Sequence, residues 1–92
     1  FGITDEDILN AIRHHTTGRV NMSKLEKIVY VADMIEPNRK FEGVERLRGI
    51  ANEDIDEAMK ACVLHTLSFL IATGQPIYPL SIECYNDLMR EE

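Results

Sequence analysis

The chain has too little cysteine for a disulfide framework. Cys62 and Cys84 are its only two, too far apart for a Cys-x-x-Cys metal site, and each falls within an amphipathic helix pattern. Reduced thiols in a cytoplasmic setting are the simpler reading. Positive charge is short as well: 10 Lys and Arg against 16 Asp and Glu leave a net charge of -6. That balance excludes sequence-independent binding to nucleic acid or to an anionic membrane surface, both of which need a cationic surplus. Long hydrophobic runs are missing, since nothing reaches the roughly 18 uninterrupted apolar residues of a membrane span, and no signal peptide is recognisable. No segment alternates long enough to be a strand, and neither repeats nor low-complexity tracts occur.

What is present reads as helix. Ninety-two residues, 45% of them hydrophobic, allow one small domain with a thin core. Thr4 followed by Asp5-Glu6-Asp7 is a helix start, with a capping hydroxyl and acids where the dipole favours them. Ile8, Leu9, Ile12 and His15 then share a face, and Gly18 ends the helix. Ser23 and Glu26 form a capping box that opens a second helix, which Pro37 stops. A short helix is expected around Val44 to Ala51. Asp54 and Glu57 open the longest, Ile55 to Thr73, with Ala58, Met59, Cys62, Val63, Leu67, Leu70 and Ile71 on its apolar side and Gly74 as its stop. Leu80 to Arg90 closes the chain, with Ile82, Tyr85, Leu88 and Met89 facing inward. The expected fold is an all-α bundle of five helices in a single segment, 1–92.

The second helix carries the chemistry. In Lys24 to Arg39, Leu25, Ile28, Val29, Ala32 and Ile35 recur at helical spacing and predict a buried stripe, with Asp33 beside it. A carboxylate there needs a hydrogen bond, an ion pair or a metal. Arg13 and Arg39 offer a structural ion pair, and His15 offers a shared cation. His14, His15 and Asp33 are the only grouping with metal-ligand character, and imidazole with carboxylate suits iron, manganese or zinc. Arg19 and Arg39, in the polar loops after the first two helices, have the planar fork that suits phosphate, although a solvated surface arginine is the plainer reading of either. His65, mid-helix, is most simply a packed histidine.

Ala11 to Gly18 (AIRHHTTG), Met22-Ser23, Leu25 to Ile28, Ala32 to Arg39 (ADMIEPNR), Gly43-Val44 and Leu47-Arg48 closely resemble the C-terminal half of YqeK-type proteins. These are HD-domain metal-dependent phosphohydrolases described as symmetrical hydrolases of diadenosine tetraphosphate. The resemblance runs over nearly the whole chain and implies the C-terminal portion of an HD-domain helical bundle. It also implies a binuclear metal centre, usually iron, for which His15 and Asp33 match ligand positions, Asp33 serving the catalytic centre. His14 stands where relatives often carry Tyr and matches no ligand. Arg39 matches the arginine after IEP and would contact phosphate, with Thr16 and Gly18 shaping the pocket edge. The implied partner is a nucleotide substrate, a dinucleoside polyphosphate cut into two nucleoside diphosphates.

The pattern is incomplete here. His14, His15 and His65 are followed by His, Thr and Thr, so the His-Asp dyad of the family is absent, as are its first histidine and the one that follows the dyad. His15 and Asp33 alone leave most of a coordination shell unfilled. The chain opens at Phe1 rather than at methionine, consistent with a piece of a longer polypeptide that is inactive by itself. Its shared core would be exposed in isolation, leading to aggregation or to a homo-oligomer. The rival reading is a non-catalytic helical interaction module that keeps the motifs only for packing. An upstream His-Asp would favour the enzyme, and a start codon near Phe1 the module.

Overall fold

A computed structural model describes residues 4–90 of the chain; Phe1 lies outside them. Five helices follow one another: α1 (Asp5–Arg13), α2 (Lys24–Ile35), α3 (Val44–Glu53), α4 (Ile55–Ala72) and α5 (Pro79–Arg90), with no strand among the described residues. α2 and α4 form the centre. α1 packs on α2, α3 on both α2 and α4, and α5 on α4.

The starts of the first two helices follow the expected cap chemistry. Thr4 and Asp7 make a reciprocal capping box on α1, and Ser23 and Glu26 make one on α2. Asp54 accepts from the backbone N–H groups of Asp56 and Glu57 at 2.9 and 3.2 Å, opening α4. α2 ends at Ile35 because Glu36, extended at ψ 154° ahead of Pro37, cannot continue the helix. α1 stops sooner than the sequence predicts. Its last residue is Arg13, and 14–17 are turns closed by Gly18 N–H donating to the His14 carbonyl at 3.0 Å. His15 therefore sits on a turn rather than on the helix.

The core gathers Met22, Tyr30, Val31, Leu47, Ala58, Met59, Cys62, Val63, Leu67, Cys84 and Leu88. In α4 the expected positions are buried as far as Leu67, but Ile71 is 69% exposed. α5 buries Cys84 and Leu88, whereas the predicted inward residues Ile82 and Met89 stay largely open. Burial raises the thiol pKa of both cysteines, that of Cys62 to about 11, so neither is set up as a reactive thiolate.

The larger correction concerns α2. Its buried side is Glu26, Lys27, Tyr30 and Val31; of the predicted stripe Ile28 and Ala32 are exposed, Leu25 and Val29 are half-buried, and Ile35 alone packs against the core. The helix is apolar on nearly every side, so its period does not specify one face. The Tyr30 ring and Val31 gain from burial, and the cost of burying the two charges beside them is offset by partners. Glu26 takes Arg19, at 2.7 and 2.5 Å, and Lys27 Nζ donates to Asp56 at 2.8 Å. α1 buries Ala11, and the face shared by Ile8, Leu9 and Ile12 is exposed among the described residues.

Candidate functional site

With α2 in this orientation Asp33 is not buried beside a greasy stripe; its side chain is 45% exposed near the C-terminal end of the helix. It faces an open cleft of about 180 Å³ lined by His15, Thr16, Tyr30, Asp33, Met34, Arg39 and Thr66. Residues from the turn after α1, from α2, from the loop after α2 and from α4 thus meet at one place.

The turn 14–22 is held against α5 and α2. Ser81 Oγ donates to the Thr17 carbonyl at 3.0 Å, and Asn21 N–H donates to Asp87 at 2.9 Å. Arg19, from the same turn, is committed to Glu26 and does not line the cleft. The pair holds the Glu26 carboxyl below its usual range, the Arg19 hydrogen bond prevailing over the opposing effect of burial. On this braced turn His15 Nδ1 lies 2.6 Å from the Ile12 carbonyl oxygen. A carbonyl only accepts, so in the neutral ring Nδ1 carries the proton and Nε2 keeps its lone pair, the tautomer a metal ligand needs.

Arg39 Nη2 lies 3.4 Å from Asp33 Oδ2, with both side chains about half exposed. A pair this long and wet is readily exchanged for another partner, and it contributes about 0–1 kcal/mol to stability. The loop bearing Arg39 is fixed by Arg48, whose guanidinium donates to the carbonyls of Ile35, Glu36 and Arg39 at 3.0, 2.9 and 3.0 Å while pairing with Glu45. Tyr30 and Thr66 form the inner wall. Burial pushes the Tyr30 phenol up to about 12, against a smaller opposing pull from the neighbouring Thr66 hydroxyl, so it remains a neutral donor at any physiological pH. The two hydroxyls influence each other without a well-formed hydrogen bond, and Thr66 Oγ1 is buried short of any ideal partner.

Of the residues singled out from sequence, His15, Thr16, Asp33 and Arg39 line the cleft together, and Gly18 does not. Gly18 is buried in the left-handed region at φ 72°, where an added Cβ would sit 2.6 Å from Cys84 Sγ. Its place is a packing contact with α5, which shapes the cleft edge only at a distance. Gly18→Ala should therefore cost about 1–2 kcal/mol in backbone conformation and about 1–3 kcal/mol in overpacking. An unchanged urea midpoint would show that the contact is slack. His14 Nδ1 is buried without a hydrogen-bond partner, and His14 lines none of this cleft. His65 stacks against Phe41 at 4.7 Å between ring centroids, a packed histidine. Tyr30, Thr66 and Arg48 are the residues that sequence reasoning passes over as contributors.

As a metal site the cleft is partial. His15 and Asp33 have the right donor chemistry and the right tautomer, but no group of three or more His, Cys, Asp or Glu suited to a metal gathers among the described residues. By donor chemistry the two fit a metal only as part of a larger donor set. No helix among the described residues is long and apolar enough to cross a membrane.

No family model matches the chain. It is 53% identical over 91 residues to the symmetrical bis(5'-nucleosyl)-tetraphosphatase of Halalkalibacterium halodurans, a match covering 99% of this chain and 49% of that protein. It is 48% identical over 88 residues to the Bacillus subtilis protein of the same name, covering 96% and 47%. Among solved structures, an HD superfamily hydrolase from Clostridium acetobutylicum, described as involved in NAD metabolism, superposes with a TM-score of 0.91 at 49% identity, covering 99% of this chain and 48% of that one. The chain spans about half the length of the curated relatives it matches.

Proposed function

We propose that the chain, which is similar over 99% of its length to an HD superfamily hydrolase and to a symmetrical bis(5'-nucleosyl)-tetraphosphatase, is the C-terminal half of a metal-dependent HD-type phosphohydrolase that cuts diadenosine tetraphosphate into two molecules of ADP. The observation that carries this reading is the meeting of an imidazole in its ligand tautomer, an available carboxylate and a loosely held arginine in one open cleft. His15 Nε2 and Asp33 would hold divalent metal, iron by family resemblance, with further ligands supplied by the half of the protein outside this chain. The metal, when bound, supplies Lewis acidity at the phosphoryl group and water activated at neutral pH.

The chain's own residues do the rest. Arg39 exchanges its long contact with Asp33 for two phosphoryl oxygens, its fork matching their geometry and offsetting the charge that grows on them. Thr16 borders the same space and offers a hydroxyl to the polyphosphate. Water adds to a central phosphorus, the bridging P–O bond breaks, and ADP leaves on either side. The exposed side of α1, Ile8, Leu9 and Ile12, is the surface the missing half would cover, which supports reading this segment as inactive and prone to self-association alone. Two buried free cysteines suit a reducing cytoplasmic setting.

The test is the full-length protein, assayed for metal content and for products of diadenosine tetraphosphate. ADP as sole product together with bound divalent metal is the expected result. ATP plus AMP would overturn the symmetrical cut, and no release from metal-loaded protein would overturn the substrate.

A further inference from the structure

We propose that Arg48 is the positioning residue of this site, setting through the backbone where the Arg39 side chain meets the nucleotide's phosphates; the role rests on the reading of the cleft given above. α2 ends with carbonyls that have no intrahelical donor. A side chain from α3 bridges that end to the loop beyond it: Arg48 donates to the carbonyls of Ile35, the last residue of α2, of Glu36, its C-cap, and of Arg39 in the loop, and Glu45 holds the guanidinium from its outer edge. The guanidinium spreads its donors over separate nitrogens in a fixed plane, Nε on Ile35 and Nη2 on Glu36 and Arg39, whereas a lysine ammonium would have to bring all three carbonyls to one nitrogen. The turn is tied a second time by Arg39 N–H donating to the Glu36 carbonyl at 2.9 Å. Asp33 lies inside the helix, before the bridged carbonyls, whereas Arg39 lies at the far end of the segment that Arg48 secures. Loss of Arg48 should release Arg39 and leave Asp33 in place.

That asymmetry gives the test. In the full-length protein, Arg48→Met keeps the apolar stem and removes the fork. It should raise the KM for diadenosine tetraphosphate and the Kd for ADP by about tenfold, with bound metal unchanged. In a double-mutant cycle, Arg39→Ala with Arg48→Met should be no weaker than Arg39→Ala alone, because both remove the same contact. Additive losses, or metal content falling with activity, would overturn the proposal, since either means that Arg48 acts on the fold at large. The ADP arm separates the two readings. Wild-type protein that binds ADP but releases none from the substrate refutes the proposed reaction and leaves Arg48 to the cycle in Kd; wild-type protein that does neither refutes both.

Discussion

Replacing Asp33 by alanine in the full-length protein should lower hydrolysis of diadenosine tetraphosphate by at least about a hundredfold, since even residues that merely support metal ligands cost 10- to 100-fold when changed. Metal content should fall with it. Stability should hardly move, because the carboxylate is half-exposed and its ion-pair partner among the described residues is Arg39 at 3.4 Å, a contact of the kind that contributes about 0–1 kcal/mol. This combination separates a ligand from a structural acid: a buried structural carboxylate would lose folding free energy when truncated and leave metal content alone. Asp33→Asn sharpens the result by keeping the shape and removing the charge, and it should resemble alanine in metal content. Wild-type turnover in either variant would remove Asp33 from the centre.

The helices themselves were legible because their ends are written in short-range chemistry. Thr4, Ser23 and Asp54 cap as their side chains dictate, and Pro37 acts through the residue before it, all within one turn of chain. Which way a helix faces is decided elsewhere. α2 has apolar residues on nearly every side, and the choice of Tyr30 and Val31 over Leu25 and Ile28 depends on Arg19 and Asp56 being there to neutralise Glu26 and Lys27. Those partners lie 7 and 29 residues away, beyond the reach of periodicity. The apolar residues of α1 are correctly recognised as a surface that wants covering, and nothing among the described residues of this half covers them.

The cleft was legible in part. His15, Thr16, Asp33 and Arg39 could be named because two short motifs carry them, and the structure places all four around one cleft. Asp33 is not the acid inside a greasy face that its spacing predicts; it is accessible, which suits a group that must exchange partners. Gly18 belongs to the same motif but serves packing against Cys84, since a glycine in a loop does not say whether its missing side chain makes room for a ligand or for a neighbouring helix. Tyr30 and Thr66 were out of reach, since each enters the site through a tertiary contact and neither carries a local signal beyond that of an ordinary helix residue. Arg48 belongs to the matching residues, but its part, holding the Arg39 loop from α3, is visible only in the tertiary contact.

Arg19→Met should destabilise the protein by about 3 kcal/mol at neutral pH, the lower end of the range for stripping one partner from a buried ion pair, because Arg19 keeps a third of its side chain exposed while Glu26 has almost none. The sign of the pH dependence follows from Glu26. In the folded wild type its pKa lies below the usual carboxylate value of 4.5, chiefly through the Arg19 hydrogen bond. Its contribution is thus fully present above the unfolded value and is lost as pH falls through the depressed folded one. In the variant the same carboxylate is buried beside no cation, burial raises its pKa, and protonation relieves it. The gap between wild type and variant should therefore be widest near neutrality and narrow below about pH 4.5. Asp7 and Asp56, whose pKa values are lowered by Thr4 and by Lys27, titrate alike in both proteins and cancel in the difference. Urea midpoints of the two proteins at pH 7 and pH 4 measure it directly. A gap that stays constant across that range would mean that the methionine loses packing rather than charge, and that the turn bearing His15 is held to α2 by shape alone.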